Sequence, residues 1–260
     1  MAVITLTTGW IDDYHIAALK GIIFSSLPSA QIVDLSHHTP PFNSGIAHAA
    51  YMIRHCYAYY PAGTVHLISV ASELQMDNPF IAALYDGQYF VGTDNGIFSL
   101  IFTSDPEKII RIEKYTNEQS PNYPAISVFA PAAIHLAAGG DISELGVHHR
   151  DYQRRCIMMA TINESQITGT IIHINAFGNA VTNITREDFD RVSKGRSFEI
   201  TLLSMRNKIT RINTYYHETS EGELLALFNL SGLLEVAINK GRASELLGFA
   251  LHANVIVKFH

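Results

Sequence analysis

The spacing of apolar residues changes once along this chain, near Cys156, and that change limits the fold more than any other feature. Before it, β-rich runs alternate with stretches of helical spacing. Residues 3–8 read as a strand, followed by the helix-capping residues Asp12 and Asp13 and by Ile16, Leu19 and Ile23 at helical intervals. A second unit repeats the pattern: strand 31–35, a His37-His38-Thr39-Pro40-Pro41 turn, and a helix capped by Asn43 that carries Ile46, Ala50, Ile53 and Tyr57 inward. Strand 65–70, a hairpin of 80–84 with 89–92 around Asp86-Gly87, a short apolar helix after Asp94-Asn95-Gly96, strand 109–112 and a helix at 129–136 complete the first half. After Cys156 the pattern becomes short strands and turns, at 167–175, 180–184, 198–204, 208–213 and 224–228.

The expected fold is an α/β N-terminal domain with a mostly parallel sheet over residues 1–150, plus a smaller all-β, barrel-like C-terminal domain over residues 156–260. The polar stretch His148-His149-Arg150-Asp151 reads as the linker. Parallel sheets bind ligands beyond the carboxyl ends of their strands. Thr8, Asp34 with His37, and residues 69–73 should therefore converge on one crevice.

Composition narrows the function classes. A net charge of -6 and the lack of a basic run argue against a nucleic-acid partner. No apolar run is long enough to span a bilayer, and Met1-Ala2-Val3-Ile4 lacks the basic flank of a signal peptide, so no membrane partner is expected. Cys56 and Cys156 have no metal or redox spacing and read as free thiols in a reducing cytoplasm. The 13 histidines include adjacent pairs but no metal-ligand spacing, and no metal or separate cofactor is expected.

The most informative local stretch is Ile172-His173-Ile174-Asn175-Ala176-Phe177-Gly178-Asn179-Ala180-Val181-Thr182-Asn183-Ile184. Ile172 and Ile174 alternate as in a half-buried strand, Gly178 supplies a tight bend, and Val181 and Ile184 resume a strand. Two readings stand. One is a plain hairpin bend; the other is a turn that offers backbone N–H groups and the Asn179 and Asn183 amides to a flat polar ligand.

This stretch resembles the I-D-x-F-G-N-x-x-T-N-I signature of the S-adenosylmethionine (SAM) hydroxide adenosyltransferases, relatives of the SAM-dependent fluorinases and chlorinases. Pro61-Ala62-Gly63-Thr64-Val65-His66 resembles the family's P-x-G-T-V-H, and Thr93-Asp94-Asn95-Gly96 its P-D-N-G. Ser231-Gly232-Leu233-Leu234-Glu235-Val236-Ala237-Ile238-Asn239 resembles its S-x-G-x-L-E-I-A-V-N. Ile4-Thr5-Leu6-Thr7-Thr8, Leu19-Lys20-Gly21 and Ile32-Val33-Asp34-Leu35-Ser36-His37 match the opening strand, first helix and second strand, in order. The resemblance implies a homotrimer, with each site between one subunit's first domain and a neighbour's second. It also implies transfer of the 5′-adenosyl group of SAM to water, giving adenosine and methionine.

The same resemblance marks departures. The family poises water with Asp, Arg and His; the corresponding positions are Ala71, Asn78 and Pro124. The ribose-binding Asp corresponds to Gly9 or a gap beside it, with Asp12 or Asp13 as the nearest substitute. The Asp expected at the methionine ammonium is Asn175, and a Ser expected at the methionine carboxylate is Leu230, followed by Ser231. Phe42, Phe177 and Asn179 match the nucleoside side. Glu73, two residues past Ala71, would hold a water in place of the missing Asp if the strand continued; otherwise it is a solvated loop residue. Candidate ligand contacts are thus Thr8, Asp13, Phe42, Ser69, Asp94, Asn95, Asn175, Phe177, Asn179 and Ser231, with Glu73 as the candidate catalytic group. Two functions follow: a hydrolase or related adenosyltransferase with a non-standard site, or an inactive nucleoside-binding or assembly-forming homologue.

Overall fold

The computed structural model describes residues 2–10, 14–38, 43–73, 77–116, 122–202 and 208–260, with Asn43 and Ser44 described in backbone only. The chain divides into two compact units, Met1–Cys156 and Ile157–His260.

The first unit contains β1 (Val3–Thr8), α1 (Tyr14–Ser26), β2 (Gln31–Ser36), α2 (Asn43–Arg54), β3 (Val65–Ser69), β4 (Phe80–Tyr85), β5 (Gln88–Thr93), α3 (Ile97–Ile101), β6 (Lys108–Ile112), α4 (Ala130–Ala137) and β7 (Gly146–His148). Its seven strands lie in the order β2-β1-β3-β5-β4-β6-β7. The sheet is mixed rather than mostly parallel. β2, β1, β3 and β5 run parallel, whereas β4, β6 and β7 pair antiparallel. The Asp86-Gly87 hairpin causes the reversal, since a tight turn can return only an antiparallel strand. His148, read from sequence as the start of the linker, instead ends the edge strand Gly146–His148 beside β6.

Both faces of this sheet are covered. Leu19 and Ile23 of α1 and Ala132, Ala133 and Leu136 of α4 pack with Ile4, Leu6, Val65 and Leu67 on one side. Ile46, Ala50 and Ile53 of α2 pack with Ile68, Ile81, Phe90 and Phe98 on the other. Tyr57 lies beyond the end of α2, in a short 3-10 turn, and only borders that core. Strand β3 is buried at every position, and its polar His66 is tolerated there because Thr5 and Gln88 lie within hydrogen-bond distance of its two ring nitrogens.

The second unit contains β8 (Thr161–Ile162), β9 (Gln166–Ile174), β10 (Ala180–Thr185), α5 (Arg186–Ser193), β11 (Phe198–Leu202), β12 (Leu224–Phe228), β13 (Leu233–Ile238), α6 (Ala243–Leu247) and β14 (Asn254–Phe259). It is a half-barrel of antiparallel strands, β11-β14-β9-β10-β13-β12, with β8 also on β9. Alternate residues of β9 point inward, as its period-two pattern requires. The unit is not all-β. Thr185 accepts the Asp188 N–H at 3.0 Å to start α5, a cap of about 1 kcal/mol. Of the expected strand 208–213, single bridges at Ile209 and Asn213 form.

Candidate functional site

In the first unit the polar candidates gather at the carboxyl ends of β1, β2, β3 and β5. Thr8 and Ser69 are paired in the β1–β3 register, and the Gly9 N–H donates to the Ser69 carbonyl at 3.1 Å. The buried Thr8 hydroxyl lies 2.9 Å from His37 Nδ1. His37 Nε2 stands 3.1 Å from Asp34 Oδ1, close in charge but off the line of a good hydrogen bond. Lys20 Nζ donates to Asp34 Oδ2 at 2.5 Å. Burial pulls the Asp34 carboxyl upward, but Lys20 and His37 outweigh it and hold the group below its usual range.

The loops after β3 and β5 are laced together beside them. Asn95 Nδ2 donates to the Val70 and Ala71 carbonyls at 2.9 and 3.1 Å, and Asn95 Oδ1 accepts the Ile97 N–H at 3.2 Å. Asp94 is buried, and its carboxylate accepts the Gln153 N–H at 2.9 and 3.1 Å, with His149 Nε2 3.8 Å away. Burial raises the Asp94 carboxyl above its ordinary value; the Gln153 N–H and His149 offset this only in part. Gln153 Nε2 donates to Asn78 Oδ1 at 2.5 Å, and Arg155 Nε to the Asn95 carbonyl at 2.8 Å. Gly96, at φ +89°, admits that arginine, since a Cβ there would lie 2.5 Å from Arg155 Cγ. The sequence motifs gave no sign of Gln153 or Arg155, because neither is near in sequence to the loops it binds.

Strand β3 ends at Ser69, and Ala71 takes a left-handed φ of +48°. The alternation that would carry Glu73 to the side of Ala71 therefore stops before either residue. Glu73 is exposed. Asp12, Asp13 and Phe42 lie outside the described residues.

In the second unit, residues 175–179 are the connection of the β9–β10 hairpin. The Asn175 N–H donates to the Asn179 carbonyl at 3.1 Å, and the Gly178 N–H to the Asn175 carbonyl at 2.9 Å. Asn175 Oδ1 accepts the Phe177 and Asn179 N–H groups at 3.0 and 3.1 Å, a side chain standing in for a backbone turn. Gly178 sits at φ +79° against Arg242, whose Nη1 donates to the Ala176 carbonyl at 2.9 Å. Phe177 projects from this rigid turn with 75% of its surface exposed. The Asn179 amide turns inward instead, and its Nδ2 donates to Glu235 Oε1 at 2.8 Å. Tyr216, in the 3-10 turn Tyr216–Glu218, donates its hydroxyl to the same oxygen at 2.8 Å. Burial, and then the Glu235 carboxylate, push the Tyr216 phenol up to about 12.

Ser231 is not brought to this turn. Thr185 pairs with Leu233 and Ala180 with Val236, so Ser231 lies at the opposite end of the β10–β13 ladder from Asn179. Among the described residues no three His, Cys, Asp or Glu side chains stand together as a metal site. No helix among them is long and apolar enough to cross a membrane, and both cysteines are free.

Family models for the SAM hydroxide adenosyltransferase N-terminal and C-terminal domains match residues 4–146 and 169–256. The chain belongs to the SAM hydroxide adenosyltransferase family. An (R)-S-adenosyl-L-methionine hydrolase of Thermus thermophilus is 28% identical over 92% of each chain. One from Methanocaldococcus jannaschii is 28% identical over 94% of this chain and 91% of its own. An uncharacterized conserved protein of Thermotoga maritima has the same fold, with a TM-score of 0.89 at 25% identity over 99% of each chain.

Proposed function

We propose that this family member binds S-adenosylmethionine or a related 5′-adenosyl compound and directs water to its C5′ carbon. The observation that supports this most is the turn 175–179: its backbone is braced by Asn175, its aromatic residue faces out, and its Asn179 amide is held in one orientation. On this reading Phe177 and Asn179 meet the nucleoside, with Phe42 and Asp13 on the base and ribose and Thr8, Ser69, Asp94 and Asn95 shaping the crevice. Asn175 serves the amino-acid end, and Ser231, at the far end of the β10–β13 ladder from it, is left out of the proposed site. The site is assembled in a cytoplasmic homotrimer, the crevice of one subunit facing the turn of its neighbour.

The reaction asks little of an acid. Attack of water forms the C5′–O bond and breaks the C5′–S bond, the sulfonium leaves as a neutral thioether, and the water proton must be accepted by a base. Glu73 is the proposed acceptor, reaching the water from the exposed loop after β3 and not through the alternation of the strand. A second reading has a specific basis: Ala71, Asn78 and Pro124 stand at the family's water-activating positions, and the Asn78 amide is taken up by Gln153. That reading is a nucleoside-binding protein without turnover.

Calorimetric titration with S-adenosylmethionine and then adenosine, followed by chromatography of the mixture, separates the two. Saturable heat with adenosine and methionine formed supports hydrolysis, and Glu73→Gln should then slow turnover by about a hundredfold or more. Turnover unchanged in that variant removes Glu73 from the mechanism. Heat without product favours the binding protein. No heat from either ligand rejects both adenosyl readings.

A further inference from the structure

We infer that Gln153 is a positioning residue for the proposed reaction: together with Asn95 it fixes both ends of the loop that carries Glu73, and so sets where that carboxylate can stand. The inference rests on the hydrolytic reading above, and it adds a residue to which that reading assigns no part in turnover.

Strand β3 ends at Ser69, so no pleat orients the exposed Glu73, and the loop itself must be placed by other groups. Two side-chain amides do this. At the first end Asn95 Nδ2 spends both its N–H groups on consecutive carbonyls, Val70 at 2.9 Å and Ala71 at 3.1 Å. Asn95 Oδ1 accepts the Ile97 N–H at 3.2 Å, which decides the way round the amide lies. Ala71 stands at φ +48°, a conformation that a residue with a Cβ keeps only where its surroundings impose it. At the second end Gln153 does the same work. Its Nε2 donates to the Asp77 carbonyl at 3.0 Å and to Asn78 Oδ1 at 2.5 Å. A backbone carbonyl can only accept, so the Gln153 amide also has one orientation, with both N–H groups engaged.

The two ends are rooted in one pair of neighbours at the end of β5. Asn95 grips the first end directly, and Asp94 grips the second through Gln153, whose backbone N–H its carboxylate accepts at 2.9 and 3.1 Å. The Asp94 N–H donates to the Pro79 carbonyl at 2.8 Å, just past the second end. Arg155 secures the same segment, its N–H on Ser99 Oγ and its Nε on the Asn95 carbonyl, both at 2.8 Å. A base must stand within hydrogen-bond reach of the proton it takes, and a displacement of about 1 Å can cost about a hundredfold in rate. Release of one end should therefore lower kcat, while binding, made by other residues, is kept.

The test compares full-length wild type, Gln153→Ala, Glu73→Gln and the double variant. Two quantities are read: steady-state hydrolysis of S-adenosylmethionine, and cleavage after Glu73 by endoproteinase Glu-C, followed by mass spectrometry. Gln153→Ala keeps the backbone N–H that Asp94 holds and loses only the side-chain grip. It should lower kcat by about tenfold or more with KM within about threefold, and speed cleavage after Glu73 by about tenfold. The double variant should be no slower than Glu73→Gln alone, because no carboxylate is left to position. Effects that multiply in the double variant, or a kcat kept in Gln153→Ala while Glu73→Gln slows turnover, would overturn the inference and leave the hydrolytic reading standing. Cleavage after Glu73 at the wild-type rate would overturn it as well, whether or not the protein turns over. Should Gln153→Ala not fold, Gln153→Glu decides in its place, since it keeps the length but sets an acceptor against the Asp77 carbonyl, and the same losses are expected. Wild type that forms no adenosine rejects the hydrolytic reading, and turnover that Glu73→Gln leaves unchanged rejects the place of Glu73 in it; the inference falls with either.

Discussion

Two buried polar clusters, one in each unit, are built from similar groups and end differently. In the first unit the His66 ring, between β1 and β5, is held on both nitrogens: Thr5 Oγ1 lies 2.8 Å from Nδ1 and Gln88 Oε1 2.8 Å from Nε2, while the ring stacks on Phe90. Gln88 passes the chain on to the Tyr57 carbonyl. Every link joins one part of the unit to another. In the second unit the Tyr216–Glu235–Asn179 cluster begins just as deep but terminates in a turn that bears an exposed aromatic ring. The difference teaches how to separate architecture from recognition among buried polar residues: the first kind closes on itself, and the second has one end aimed out of the fold. Changes in the first should alter stability and leave binding alone, whereas changes at the turn that ends the second should alter binding out of proportion to stability.

The largest expected effect tests the closed cluster. Burial lowers the His66 ring to about 4 from the ordinary 6.5. The unfolded chain therefore takes up the proton first, so the contribution of neutral His66 is complete above pH 6.5 and is lost as pH falls toward 4. Urea unfolding at pH 7.5 and 4.5 should show about 2.5 kcal/mol lost from this group. In His66→Leu that pH dependence should flatten, at a cost of about 2 kcal/mol at neutral pH for the Thr5 and Gln88 groups left without their partner. A change in nucleoside affinity in this variant would break the comparison.

Asp94 provides the next test, because it is a buried carboxylate whose partners are a backbone N–H and a histidine rather than an amide on a turn. Asp94→Leu should destabilise by about 2 kcal/mol, since the Gln153 N–H loses its acceptor. Asp94→Asn, which keeps one acceptor, should lose less. The segment that Gln153 anchors ought to loosen as well, and faster tryptic cleavage at Arg154 and Arg155 would report it. Equal stability of both variants with the wild type would mean that this carboxylate does not hold the segment.

How much of this was legible in the sequence follows from the range of each interaction. The strands at 3–8, 80–84 and 224–228 and the buried stripe of α2 could be read because period and burial are local properties. The hairpin of 175–179 was legible for the same reason: Asn175 braces residues only two and four positions away. The hairpin around Asp86-Gly87 was legible, but the mixed direction of the sheet was not, because β6 and β7 join it by antiparallel pairings between segments distant in sequence. Glu235 lies within the Ser231–Asn239 stretch, but its partners could not be read from it. Its partners Asn179 and Tyr216 are 56 and 19 residues away, and no periodicity encodes such a meeting. An acidic residue within the apolar run Leu233-Leu234-Glu235-Val236-Ala237 was the available signal, since a charge so placed needs partners.

Tyr216→Phe probes the open-ended cluster more gently. It removes one donor to a buried carboxylate and should cost about 1.5 kcal/mol. The difference in ultraviolet absorbance between wild type and variant should show a tyrosine ionising near 12 instead of near the usual 10. Ionisation at the usual value would place the hydroxyl in water and detach it from Glu235.

The smallest stability change, and the sharpest contrast, is expected at Gly178. Its φ of +79° disfavours any side chain, and a Cβ would meet Arg242 Cβ at 3.0 Å, so Gly178→Ala should cost about 1 kcal/mol. The strain can be relieved only by shifting the turn that carries Phe177 and precedes Asn179. A recognition turn should respond out of proportion, losing about tenfold or more in adenosine affinity for that small loss of stability. His66→Leu should lose more stability and keep its affinity. Measured side by side by urea unfolding and calorimetry, the two variants should fall on opposite corners of a plot of stability against affinity. If instead both lie on one line, affinity merely follows stability, and the turn is architecture like the cluster around His66.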